Sequence, residues 1–304
     1  MRNTLTIFTA TYNREKLLWR LYESLLKQTK TNFEWIIVDD CSNDNTVEMV
    51  REMQKRSALN IRLICQSQNG GKHRAINKGL DYARGDYFFI VDSDDVLTGN
   101  AVELIYKWVD SIDGEEGFAG VAGLKAHFNG DICGGKTEID SSYIDANNFE
   151  RRKHHLLDDK AEIYKTCVLK CHKFPEFENE KFITEAICWD AIAMDGLKIR
   201  WFNEVIYLCE YLDDGLTKKG LNQRKGHVDN YQGFSAYVKQ SLKGKPMIDS
   251  IADFREFNCV SKYKNKNLQQ RAAILNISVF KYLLYMIELP FLYCLRIFFH
   301  LTYR

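Results

Sequence analysis

The chain has 304 residues, of which 45% are hydrophobic and 27% charged. This is the composition of an ordinary folded protein and excludes disorder, collagen-like repeats and low-complexity architecture. A formal net charge of +1 conceals a split: residues 1–215 carry 27 Lys/Arg against 36 Asp/Glu, whereas residues 216–304 carry 15 against 5. The basic end calls for an anionic neighbour, whether nucleic acid, a membrane leaflet or a phospholipid-linked molecule.

The first third alternates apolar runs with helical patterns. Leu5–Phe8 runs into the polar turn Thr9–Asn13, and Leu17, Leu18, Leu21 and Leu25 recur at helical spacing between Arg14 and Gln28. Phe33–Val38, Ile61–Ile64 and Tyr87–Val91 read as strands, with Thr46–Arg56, Lys72–Tyr82 and Asn100–Val109 as helices. Strands separated by helices indicate βαβ units, hence an α/β fold with a largely parallel sheet whose ligands bind beyond the carboxyl ends of the strands. Farther on, Phe118–Leu124 reads as a strand, Phe182–Met194 as a helix, and the chain beyond 215 as mainly helical. Nine scattered cysteines and no charged-then-apolar leader make reduced thiols in the cytoplasm the expectation.

Chemistry concentrates where the strands end. Asp92-Ser93-Asp94-Asp95 follows an apolar strand directly, and three carboxylates so close repel unless a cation or donors neutralise them. A hard divalent ion such as Mg²⁺ or Mn²⁺ is one partner; an acidic turn capping the next helix is the other reading. Asp39-Asp40-Cys41-Ser42 doubles a carboxylate where one oxygen would serve as a cap. Asn69-Gly70-Gly71-Lys72 opens a helix in the manner of a phosphate-binding or sugar-binding turn. Cys167, Cys171 and His172 lack the spacing and fourth ligand of common zinc sites. His154-His155, among Arg151, Arg152 and Lys153, reads as a basic surface.

Taken in order, Thr9-Ala10-Thr11-Tyr12-Asn13-Arg14, Val38-Asp39-Asp40-Cys41-Ser42, Asn69-Gly70-Gly71 with Ala75 and Asn77, and Ala83–Tyr87 leading to Asp92-Ser93-Asp94-Asp95 resemble the family 2 glycosyltransferases of GT-A fold. The resemblance covers residues 4–110 strongly, extends to about 215 and is absent beyond. It implies a catalytic domain at 1–215, and the helical pattern beyond makes 216–304 an extension. The resemblance also implies a nucleotide-sugar donor, with Thr9, Ala10, Thr11 and Tyr12 lining the base and ribose pocket and Asp40 meeting the base. Lys72 would face the donor, Asp92 and Ser93 would lie near the ribose or sugar, and Asp94 would hold Mn²⁺ or Mg²⁺ on the diphosphate. Ala10 stands where many relatives carry Pro. In Lys181-Phe182-Ile183-Thr184-Glu185, Glu185 is the implied base, Ala186 replaces the usual Asp, and Asp190 is the alternative. Tyr207–Thr217 resembles a segment that closes over the diphosphate, with a surface turn as the other reading.

The implied reaction is a single inverting displacement, with UDP-sugars favoured as donors and a lipid-linked glycan as acceptor in surface polysaccharide assembly. Residues 274–304 are rich in aromatics, including Phe280, Tyr282, Tyr285, Phe291, Tyr293, Phe298 and Phe299, interrupted by Glu288, Pro290 and Arg296. That pattern fits a helix lying on the inner face of the membrane better than one crossing it, with Lys218, Lys219, Arg224, Lys225, Lys262, Lys264, Lys266 and Arg271 facing anionic lipid. Packing on the protein or in a homo-oligomer is the other reading. No RNA-binding motif accompanies these charges. A nucleotidyltransferase and a non-catalytic partner subunit of the same fold are the rival functions. The first lacks a Gly-rich triphosphate loop after the first strand, and the second is kept open by the Glu185-Ala186 pair.

Overall fold

A computed structural model describes residues 4–135, 142–156, 158–210 and 223–287. It divides into two compact units: Met1–Phe174 with Ile192–Tyr211, and Pro175–Ala191 with Leu212–Arg304. The division differs from a single cut at 215, because the chain leaves the first unit after Phe174 and returns for one more strand.

The first unit is built on a nine-stranded sheet. Its opening half alternates β1 (Leu5–Thr11), α1 (Leu18–Leu26), β2 (Phe33–Asp39), α2 (Thr46–Arg56), β3 (Asn60–Cys65), α3 (Lys72–Tyr82) and β4 (Tyr87–Ile90). There follow β5 (Val96–Leu97), α4 (Ala101–Asp110), β6 (Phe118–His127), β7 (Tyr143–Ala146), β8 (Lys160–Lys165) and α5 (Thr166–Cys171). The sheet is completed by β9 (Lys198–Cys209), entered from α6 (Ala186–Met194). The strand order is β3-β2-β1-β4-β8-β6-β9-β5, with β7 also on β9. Strands β1 to β4 pair in parallel. The second half is mixed: β8 runs antiparallel to β4 and β6, while β6 and β9 run parallel. The expected parallel sheet is therefore the first half only, where helices supply the crossovers that parallel pairing demands.

Burial explains the strand assignments. All seven residues of β2 are buried, and Trp35, Ile36, Ile37 and Val38 are fully so, as expected for a strand covered on both faces. Leu18, Leu21, Tyr22 and Leu25 give α1 one buried stripe, which packs into the core with Trp35, Phe89 and Tyr207. The helical pattern begins four residues earlier in sequence than in structure, because Arg14–Leu17 form turns: the carbonyl of Arg14 accepts from Leu17 and Leu18.

The Ala83–Tyr87 motif builds the sheet. Glu34 Oε1 accepts from the Thr6 hydroxyl and the Arg84 amide, both at 2.7 Å, and Asp86 Oδ2 accepts from the Thr4 amide and hydroxyl. Between them Gly85 donates to Thr6 Oγ1, and a Cβ there would lie 2.5 Å from the Thr6 nitrogen. Only glycine lets β4 approach β1 this closely.

In the second unit α7 (Arg224–Asp229), α8 (Tyr231–Gly244), α9 (Met247–Tyr263), α10 (Leu268–Ile274) and a helix over 279–287 surround a core of Phe234, Val238, Phe254, Phe257, Tyr282 and Tyr285. Glu180 holds the start of α8, accepting from the amides of Gln232 and Gly233 at 2.7 Å each. Tyr282 and Tyr285, which the sequence assigned to a membrane face, are 0% and 3% exposed and pack on Phe254. Their rings satisfy the helical core instead, whereas Phe280 and Ile287 are 72% and 73% exposed. Among the described residues no helix is long and apolar enough to cross a membrane. Lys218, Lys219 and the aromatics beyond 287 lie outside the described residues.

Candidate active site

Strand order locates the site. Strand β1 has β2 on one side and β4 on the other, so successive crossovers depart from it in opposite directions and open a crevice at its carboxyl end. Thr11 and Tyr12 stand at the end of β1, and Asp92–Asp95 follow β4. Thr11 is 2% exposed, and its hydroxyl has no hydrogen-bond partner among the described residues. A buried hydroxyl left unpaired costs about 1–3 kcal/mol, which a bound ligand can recover. Tyr12 is exposed beside it, and Ala10 is half-buried. Thr9 does not share this setting: it is fully buried, and its hydroxyl accepts from the Trp35 indole at 3.0 Å.

The two carboxylates after β2 divide their work. Asp39 accepts from the amide and hydroxyl of Ser42, closing the turn before α2. Asp40 is gripped by three donors at 2.7 Å: Gln66 Nε2 and the amides of Gly70 and Gly71. The carboxylate expected to meet the base thus builds the Gly70–Gly71 turn, leaving roughly one of its four lone-pair directions. Gly71 has φ of +92°, a backbone state that glycine adopts freely, and this turn launches Lys72 at the first position of α3. Asn77 exchanges two hydrogen bonds with the backbone of Phe174 and is likewise structural.

Lys72 reaches the acidic run, its Nζ lying 2.7 Å from Asp92 Oδ1. Burial disfavours a charged Asp92, yet Lys72 and Lys125 outweigh it and hold its carboxyl below the usual range. Asp94 is pushed up by burial and by the Asp92 charge. Asp95, buried, rises to about 7 for the same two reasons, although the Tyr207 hydroxyl donates to it at 2.7 Å. That hydroxyl accepts from the Asp92 amide at 2.9 Å, and Lys125 Nζ sits 4.2 Å above the Tyr207 ring. Lys125 escaped the sequence reading, and Tyr207 entered it only as the start of the closing segment, because each belongs to a strand distant in the chain. The capping alternative fails, since the run enters β5 and α4 begins after Asn100 without a side-chain cap. Ser93 is buried within the turn.

A divalent ion fits this arrangement in one way. Asp92 is neutralised by Lys72, Asp95 is engaged by Tyr207, and among the described residues no three carboxylates converge on one point. Asp94 is left as a single hard oxygen ligand whose charge its surroundings oppose. An ion held there would complete its shell with phosphate and water oxygens, as Mg²⁺ does.

The candidate bases lie in the second unit. Glu185 is half-buried and stands immediately before α6, which starts four residues later than the apolar pattern suggested. Asp190 is 1% exposed, with Lys245 Nζ 2.6 Å away. A carboxylate so enclosed and paired is a structural ion pair, so Glu185 is the better placed of the two. Of Tyr207–Thr217, residues 211–217 lie outside the described residues.

The parallel half-sheet, its switch point and the antiparallel closure by β8 define a GT-A glycosyltransferase fold. Residues 6–120 match the sequence profile of glycosyl transferase family 2, and this part of the chain is a family 2 glycosyltransferase domain. It is 36% identical over 115 residues to glycosyltransferase GlyG of Streptococcus pneumoniae, covering 38% of each chain. It is 33% identical over 107 residues to the poly(ribitol-phosphate) beta-N-acetylglucosaminyltransferase TarS of Staphylococcus aureus, covering 34% of this chain and 18% of that enzyme. The matched segments thus span well under half of these relatives' lengths. The fold resembles S. aureus TarS 1-349 in complex with UDP-GlcNAc, with a TM-score of 0.63 and 21% identity over 85% of this chain and 72% of that one. A mannosyltransferase from Pyrobaculum calidifontis, in complex with GDP-Man and Mn²⁺, aligns at a TM-score of 0.56 and 15% identity over 91% and 79%.

Proposed function

We propose that this chain is a metal-dependent, inverting glycosyltransferase that moves a sugar from a nucleoside diphosphate donor to a hydroxyl of a glycan acceptor. The observation that carries this reading is the crevice itself. One end offers an unpaired buried hydroxyl at Thr11 beside exposed Tyr12, and the other a cation-seeking carboxylate at Asp94. Tyr12 offers a ring face to a nucleobase and Thr11 a hydrogen bond. Lys72 holds Asp92 ionised, so that Asp92 accepts from ribose or sugar hydroxyls. Asp94 would hold the ion, whose charge would offset the negative charge on the departing diphosphate. Glu185 takes the proton of the acceptor hydroxyl as its oxygen attacks the anomeric carbon from the face opposite the leaving group. Single displacement inverts that centre.

The complexes of similar fold with UDP-GlcNAc and UDP favour a uridine donor. The basic charge of residues 216–304 supports a lipid-linked acceptor at an anionic surface, with exposed Lys225, Lys262, Tyr263 and Lys264 as contact residues.

Calorimetric titration with UDP, GDP, CMP and dTDP, each with and without Mn²⁺, tests the reading. One nucleotide should bind with Mn²⁺ dependence, and Asp94→Ala should lose that dependence. Silence with all four nucleotides would refute a donor site.

A further inference from the structure

A second cluster of ligand-type side chains lies on the same sheet, beside the carboxylate run, since Val96 next to Asp95 pairs with Leu208 next to Cys209. In the parallel register of β6 and β9, His127 is paired with Cys209. Past His127 the chain turns at Gly130 and comes back: the His127 amide donates to Asp131, Ala126 bridges Ile132, and the Cys133 amide donates to the carbonyl of Lys125. Cys133 is thereby delivered to the pair. Its Sγ lies 3.4 Å from Cys209 Sγ and 3.8 Å from His127 Nε2, and the three ligand atoms all fall within 4.8 Å of one another. Cys133 and Cys209 are 3% and 8% exposed.

We propose that His127, Cys133 and Cys209 bind a soft transition-metal cation of the Zn²⁺ class. Zn–S bonds of about 2.3 Å and Zn–N bonds of about 2.1 Å at tetrahedral angles set S···S near 3.8 Å and S···N near 3.6 Å. The two separations from Cys133 straddle these values, and the third, between Cys209 and His127, is within 4.8 Å, so a cation enters as those two ligands close on it. A disulfide would need about 2.05 Å. Two buried thiols alone would be accounted for as small apolar groups, but apolar packing does not bring an imidazole nitrogen against the sulfur. Thiolate and imidazole select Zn²⁺ or Cu⁺ over Mg²⁺ and Mn²⁺, which separates this site from Asp94. On binding, the two thiol protons leave to solvent, and a water completes the fourth position. The ion would tie the ends of β6 and β9 to the 128–133 turn. Strand β9 also carries Tyr207, which positions Asp92 and Asp95. The cation is therefore a fixing point for one wall of the crevice.

The test uses the reduced, chelator-stripped full chain titrated with Co²⁺ alone. A thiolate-to-cobalt charge-transfer absorption should grow to one equivalent and bleach on adding Zn²⁺. Cys133→Ser and Cys209→Ser should each abolish it, His127→Gln should weaken binding at least about tenfold, and Asp94→Ala should leave the absorption intact. In the unmutated chain, Zn²⁺ should protect Cys133 and Cys209 from maleimide while exposed Cys167 and Cys171 still react, which keeps the test independent of how the variants fold. Absence of the absorption, its survival in both cysteine variants, or unprotected Cys133 and Cys209 would each overturn the proposal.

Discussion

The doubled aspartate after β2 shows how a residue can be marked in sequence while part of its work stays hidden. Asp39 and Asp40 exceed the needs of one cap, and the excess is real, but it folds the Gly70–Gly71 turn from below. Composition at a strand end reveals that carboxylates are needed; only the direction of the side chain reveals for what. Asp44 braces the turn that leads into α2 and carries a pH signature. Burial opposes its charge, but the Thr46 hydroxyl and amide and the Glu15 amide outweigh that and hold its carboxyl below the ordinary 3.8. Its stabilising contribution is therefore complete above the unfolded value and is lost as pH falls through the lower folded one. Urea midpoints followed into acid should decline less steeply for Asp44→Asn than for the parent chain. Gly85 gives the sharper case. Its substitution by Ala forces a methyl onto the Thr6 backbone, and Gly85→Ala should cost roughly 1–3 kcal/mol by urea denaturation.

Among elements, α2 and α3 were legible to the residue, because an apolar stripe and flanking turn residues agree there. The start of α6 was not. Phe182 and Ile183 continue its apolar pattern, yet residues 182–184 form no regular element and the helix begins at Ala186. That shift leaves Glu185 half-buried on a turn at the helix entrance. If Glu185 is the base, Glu185→Gln should lower kcat about 10²–10⁴-fold while nucleotide affinity, read by calorimetry, stays unchanged. The carboxylate run was found from its spacing alone. Its wiring was hidden because Lys125 and Tyr207 come from β6 and β9, and contacts across a mixed sheet leave no local pattern.

For the whole molecule, residues 6–120 hold the four ordered motifs that carry the family resemblance, yet they do not hold a complete sheet. The outer neighbour of β4 is β8, and the partner of β5 is β9, both contributed by chain beyond 120. A fragment ending at 120 keeps Phe88 and Phe89 on an unpaired edge, which is an aggregation template. It should show no cooperative thermal transition and should sediment as aggregate, whereas the full chain melts cooperatively.

The same strand order sets a schedule for birth on the ribosome. More than a hundred residues separate the end of β4 from the end of β9. At about 5–20 residues per second, the nascent sheet waits roughly 5 to 25 seconds for its closing strand. During that interval β1 to β4 can pair, but the crevice they border has only one wall. On the proposed function, donor affinity would be acquired late in synthesis, after Tyr207 emerges, and the half-made sheet would be a client for chaperones before it could receive a nucleotide.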